Sequence, residues 1–123
     1  MIVLDTHVIA ELMRPQPEPA VLAWADGLVP AEVGITAMNE AEILHGLIRL
    51  PEGRRKQALL ESWQALVTAL LGDRVLAFHR EAAHWYGELL VWRRQIGRPI
   101  AMADAVIAAT ALAQGAQLAT RNV

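Results

Sequence analysis

Cysteine is absent from the chain, which excludes disulfides and any thiolate metal site. A membrane-crossing run is absent as well. The most apolar candidate, Ile100 to Leu118, is interrupted by Asp104 and Gly115 and leans on alanine, a weak driver of insertion. The opening Met1-Ile2-Val3-Leu4-Asp5 has no basic segment and no cleavage site. It reads as a strand rather than a signal peptide, and a cytoplasmic location is the default expectation. No repeat, linker or low-complexity tract divides the sequence, and 123 residues suit one domain spanning 1–123. Nor is there a large charge of one sign. The net charge of −2 gives no global pull toward nucleic acid, leaving local basic clusters: Arg54-Arg55-Lys56, Arg93-Arg94 with Arg98, and the single Arg14 and Arg121.

What the chain has in excess is apolar residues, 54% of the total, with a mean hydropathy of +0.29. In a small chain without a membrane span, that excess points to a subunit interface or a partner groove, so an oligomer is expected. Ile2-Val3-Leu4 suits a central parallel strand buried on both faces. Asp5 or Thr6 caps a helix carrying Val8, Ile9, Leu12 and Met13, and Pro15, Pro17 and Pro19 end it. A second helix is expected over 20–28 and a second strand over 32–35. Thr36 caps a helix from Ala37 to about Leu50, and an amphipathic helix follows over 56–71. A third strand is expected over 74–78, a helix over 80–96, the helix containing Asp104, and a last strand over 117–120. The order β-α-α-β-α-α-β-α-α-β implies a parallel sheet sandwiched by helices.

Asp104 stands out within Ile100-Ala-Met-Ala-Asp-Ala-Val-Ile-Ala-Ala-Thr-Ala-Leu-Ala113, apolar around its whole circumference apart from Asp104 and Thr110. A helix of that kind is expected to be buried on all sides, where an ionised carboxylate is costly unless paired or bound to a metal. The plainer alternative is an acid in a first helical turn that favours the dipole. In parallel sheets the working site lies off the carboxyl ends of the strands. Asp5 ends the first strand, Thr36 the second, and Thr120-Arg121-Asn122 the last, while Asp104 opens the helix leading to it, so these positions can converge on one cleft. Carboxylates without Cys or clustered His favour Mg²⁺ or Mn²⁺. With arginines nearby, such a site fits phosphodiester cleavage.

Met1-Ile-Val-Leu-Asp-Thr-His-Val-Ile9 resembles the opening of PIN-domain ribonucleases, particularly VapC/FitB-type toxins of toxin–antitoxin pairs. Three further stretches match in order: Thr36-Ala-Met-Asn-Glu-Ala-Glu-Ile-Leu-His-Gly46, Ile100-Ala-Met-Ala-Asp-Ala-Val-Ile-Ala-Ala-Thr110 and Leu118-Ala-Thr-Arg-Asn122. The resemblance implies a three-layer α/β/α sandwich around a short, mainly parallel sheet. It further implies an endoribonuclease dependent on Mg²⁺ or Mn²⁺ and acting on RNA of the tRNA or rRNA class. Asp5, Glu42 and Asp104 would bind the metal and carry the catalysis, Glu42 directly or through water, with the Thr6 and Thr120 hydroxyls orienting water or phosphate. A homodimer is implied, as is a VapB/FitA-like antitoxin whose C-terminal segment lies in an apolar groove.

Periodicity does not select Glu42. A helical wheel puts Ala37, Ala41, Leu44 and Ile48 on one face with Glu40 beside it and Glu42 nearer the polar side, so Glu42 rests on the motif. Two departures stand out. His7 replaces the common Asn, and a supporting hydrogen bond is expected of it. Asn122 stands where members often carry a fourth acid, and relatives usually continue for a further strand, so one tightly held ion is expected. Arg93, Arg94 and Arg98 are the main RNA-binding candidates, with Arg14 behind them. His45, His79 and His84 lack metal-ligand spacing, and Trp63, Trp85, Tyr86 and Trp92 suit core or interface packing. The competing reading is a catalytically inactive binding module on the same fold. A phosphatase with an aspartyl-phosphate intermediate is excluded, because His7 stands where its second Asp is needed.

Overall fold

The computed structural model describes residues 1–120. Its frame is a four-stranded parallel sheet in the order β3-β2-β1-β4. The strands are β1 (Ile2–Leu4), β2 (Val33–Thr36), β3 (Val75–Leu76) and β4 (Gln117–Ala119). The helices are α1 (Thr6–Leu12), α2 (Pro19–Asp26), α3 (Ala37–Ile48), α4 (Arg54–Leu66), α5 (Arg80–Gln95) and α6 (Met102–Ala113). No helix among the described residues is long and apolar enough to cross a membrane. Every residue of β2 is buried, as a central strand covered on both faces requires. β1 takes β2 on one side (Ile2 opposite Val33) and β4 on the other (Leu4 opposite Ala119).

That order decides where a site can form. From β1 the chain steps outward to β2 and β3, then returns to the opposite side of β1. Right-handed crossovers in opposing directions send their helices to opposite faces. The reversal makes the carboxyl ends of β1 and β4 a switch point, where loops diverge and leave a crevice.

Leu4, Val8, Ile9, Ile35, Leu71 and Trp63 form much of the core. β3 is held by Arg74, whose Nε donates to the Val33 carbonyl at 2.7 Å and Nη2 to the Leu70 carbonyl at 2.5 Å. At this crossing Gly34 is sterically required, since a Cβ there would stand 2.8 Å from the Arg74 carbonyl oxygen.

Several sequence expectations shift. The third strand is two residues long, Val75–Leu76, instead of 74–78, because its partner β2 ends at Thr36 and turns into α3. The expected 56–71 helix starts at Arg54 and closes in a π-helical turn, Val67–Leu71. Gly72 at φ +57 ends that turn, and its N–H returns to the Val67 carbonyl at 2.7 Å. Glu32 belongs to a 3₁₀ turn before β2.

Two burial expectations are corrected. α6 is not covered on all sides: Met102 is 69% and Leu112 43% exposed, and Asp104 is exposed. The helix packs chiefly on α5 and the sheet, and its alanine-rich composition carries no polar stripe to mark the outward side. On α3 the inward face is Asn39, Ile43 and Leu47, while Ala37, Ala41, Leu44 and Ile48 are exposed. An amide occupying a core position disguised the apolar period. Trp63 is buried, whereas Trp85 and Trp92 are exposed.

Candidate active site

Asp5 follows the last residue of β1 and is pinned on both sides. Its N–H donates to the Ala119 carbonyl at 2.8 Å, continuing the β1–β4 ladder by one bond. Its carboxylate caps α1, with Oδ1 accepting from the Thr6 N–H at 2.8 Å. Oδ2 meets the Thr120 hydroxyl and His7 Nδ1, each at 3.3 Å. The carboxylate is 14% exposed, against 68% for the His7 ring. Asp5 is thus mostly enclosed, with a small part of its side chain exposed.

Thr6 ties a second acid to the first. Its hydroxyl donates to Glu42 Oε1 at 2.6 Å, so one residue bonds Asp5 through its backbone and Glu42 through its side chain. Glu42 lies on α3, which Thr36 starts through a capping box with Asn39: the Thr36 hydroxyl accepts from the Asn39 N–H at 3.1 Å, and Asn39 Oδ1 accepts from the Thr36 N–H at 2.8 Å. This arrangement satisfies free donors at the helix start. Asn39 also reaches across to α1, where Nδ2 donates to the Thr6 hydroxyl at 2.9 Å.

Asp104 arrives from the far end of the sequence, in the first turn of α6, and its carboxylate has no hydrogen bond to another described residue. It shares with Asp5 a cleft of about 260 Å³, also lined by His7, Arg93, Ile107 and Thr120. Arg93 is braced by its Nε, which donates to the Arg98 carbonyl at 2.6 Å, and its remaining guanidinium donors have no hydrogen bond to another described residue. Two acids and one arginine therefore share a wall with apolar residues behind them. Among the described residues, no three His, Asp or Glu side chains cluster tightly enough to enclose an ion.

Of the other sequence candidates, Arg98 contributes its carbonyl to Arg93. Arg94 lines a separate concavity with Gly87, Leu90, Val91 and Gln95. Arg14 pairs with buried Glu11 at 3.2 Å and is absent from the cleft wall. Lys56 bonds Glu52 and the Ile48 carbonyl at the start of α4. Asn122 and Arg121 lie outside the described residues. Sequence reasoning missed Asn39, although Thr36-x-x-Asn39 has the spacing of a capping box and was the available signal.

A second concavity of about 310 Å³, lined by Val8, Ala20, Val21, Trp24, Ala119 and Thr120, adjoins the cleft at Thr120. It is apolar and lies between α1 and α2.

The PIN domain family matches residues 2–123. A VapC ribonuclease of Sinorhizobium fredii is 39% identical over 122 residues, covering 99% of this chain and 87% of its own length. The toxin FitB of Neisseria gonorrhoeae is 38% identical, with 99% of this chain and 88% of its own covered. Among solved structures, FitAcB from Neisseria gonorrhoeae superposes with a TM-score of 0.89 at 38% identity, over 99% of this chain and 88% of that one.

Proposed function

The chain belongs to the PIN-domain family, with a VapC ribonuclease and the FitB toxin among its relatives, and from that premise we propose a metal-dependent endoribonuclease toxin. Its substrate is cellular RNA of the tRNA or rRNA class, and a cognate antitoxin of the VapB/FitA type neutralises it. The observation that supports this most is the meeting of Asp5 and Asp104, ninety-nine positions apart in sequence, on one cleft wall beside Arg93.

The all-oxygen donor set fits Mg²⁺ or Mn²⁺. Mg²⁺ keeps several waters and needs only one or two protein carboxylates, so a closed cage is not required. Asp5 and Asp104 would hold it, with Glu42 joining directly or through water. Bound there, the ion supplies Lewis acidity toward a phosphate and an activated water. The protein's own groups do the positioning. The Thr6 bond orients Glu42, the cap holds Asp5, and the braced Arg93 offers donors to phosphate oxygens. His7 and the Thr120 hydroxyl steady Asp5 Oδ2. Leu118, Ile100 and Ile107 in the same wall lower the local dielectric, which strengthens each charged contact.

The groove of Val8, Val21 and Trp24 suits an antitoxin segment that continues into the cleft and blocks it. Exposed Leu44 and Ile48 on α3 support a second copy of the chain as a further partner, giving a homodimer.

The test is cleavage of a mixed tRNA and rRNA pool by antitoxin-free protein in Mg²⁺, Mn²⁺ or EDTA, with Asp104→Asn as the paired control. Because Asp104 is exposed, its substitution leaves the fold intact, so loss of activity reads on chemistry. Discrete cuts that need metal and vanish in the variant are expected. Intact RNA in every lane would make the chain a PIN-fold binding module.

A further inference from the structure

Asn39 is completely buried and Thr36 nearly so, yet their hydrogen bonds end at a group in the proposed site. The backbone N–H of Thr36 donates to Asn39 Oδ1 at 2.8 Å, and the Thr36 hydroxyl donates to the same oxygen at 2.8 Å. A backbone N–H can only donate, so the Asn39 amide can face Thr36 only with its oxygen. Its Nδ2 is thereby turned to Thr6, donating to the hydroxyl oxygen at 2.9 Å. The Thr6 hydroxyl, having accepted there, spends its single hydrogen on Glu42 Oε1 at 2.6 Å. Every bond in this series has its sense set by the one before it, starting from a peptide group.

We infer that Asn39 is a positioning residue for the active site: acting through Thr6, it fixes where the hydroxyl points and so holds the Glu42 carboxylate in place. The inference rests on the proposed role of Glu42. A purely structural part for Asn39 leaves one of its three side-chain bonds, the one from Nδ2 to Thr6, unaccounted for. The cap on α3 needs Oδ1 and the Asn39 N–H, whereas the Nδ2 bond crosses to α1 and adds nothing to the cap. Position 39 heads the buried face that continues through Ile43 and Leu47, where an apolar residue would bury without a desolvation penalty. An amide there is favourable because its bonds are met, and a met polar chain in a dry interior is rigid.

The experiment is a double-mutant cycle on antitoxin-free protein, using initial rates on the tRNA and rRNA pool at low and saturating concentration. Asn39→Asp keeps Oδ1 for Thr36 and presents an acceptor where Thr6 now meets a donor. Expected is a loss of about 10–100-fold in kcat, the range for partners that orient a metal-site ligand, with KM unchanged. Asn39→Ser, too short to reach Thr6, is expected to lose as much and covers the case of an unfolded Asp variant. In a Thr6→Val background either change should cost less than about twofold more, because the path is already cut. The same loss in both backgrounds, tracking the melting temperature, would overturn the inference and leave Asn39 a cap. Glu42→Gln separates the two levels. If it cleaves RNA like wild type, the role of Glu42 falls and the inference with it. If it is inactive while Asn39→Asp is not, the inference alone falls.

Discussion

Replacing Asp5 in two ways separates its two duties. The carboxylate caps α1 through Oδ1, and the residue lines the cleft. Asn is about as good a cap as Asp, whereas Ala loses about 1 kcal/mol, which for a domain of this size is about 4 °C of melting temperature. Asp5→Asn should therefore melt near wild type in EDTA, and removing one of the acids that share the rim relieves repulsion there. Asp5→Ala should melt lower. Metal reverses the comparison. At free Mg²⁺ ten times its Kd, wild type gains about 1.4 kcal/mol by linkage, or about 5 °C, and neither variant gains it. Both should lose cleavage by more than about a hundredfold, beyond the range for residues that only support a ligand. The assay is thermal unfolding by circular dichroism with Mg²⁺ or EDTA, in parallel with cleavage of the RNA pool. Two results would refute the reasoning: a Mg²⁺-dependent stabilisation in Asp5→Asn equal to wild type, or an Asp5→Asn protein that melts as low as Asp5→Ala.

Other consequences are open to direct measurement. Trp63→Ala empties a buried site in the main core and should cost about 3–5 kcal/mol by urea unfolding; a loss under 1 kcal/mol would contradict the packing described. Gly34→Ala drives a methyl into the Arg74 carbonyl and should cost about 1–3 kcal/mol, read as a lower urea midpoint at constant m. Trp24→Ala removes an aromatic side chain from the groove between α1 and α2 and should weaken the cognate antitoxin by about 2 kcal/mol in calorimetric titration. Unchanged affinity would place the antitoxin elsewhere.

The element order was readable because turn and cap chemistry punctuates this chain strongly. Pro15, Pro17 and Pro19 close α1, Thr36 opens α3, and Gly115 precedes the last strand. Asp5 and Asp104 were singled out in the sequence because the strand-end rule and the motifs agreed on them, and the structure places both on one cleft. Lengths were harder. Arg74 and Ala77-Phe78 look as strand-like as Val75-Leu76, but a strand extends only while its neighbour offers partners, and β2 stops at Thr36. Burial was harder still. The α6 sequence is apolar all round, and nothing local says that α5 and the sheet cover only part of it, so Asp104 was expected inside and lies outside. On α3 the inward face begins with Asn39, a residue whose burial depends on a hydroxyl thirty-three positions earlier. Pairings at such separations have no signature in a periodic pattern.

The pairing of β1 with β4 also governs when this protein can act. Its first strand is made well before its partner, and the backbone bond from Asp5 to Ala119 and the cleft residues Asp104 and Thr120 await the segment from α6 to β4. Contacts between residues this far apart form late, since the intervening loop must close before they return any energy. A nascent chain that has reached α3 thus carries Asp5, Thr6 and Glu42 without Asp104, Arg93 and Thr120, which complete the cleft lining. For a nuclease whose proposed targets are the RNAs of translation, the fold itself delays activity until the segment through Thr120 has been made and has paired with β1.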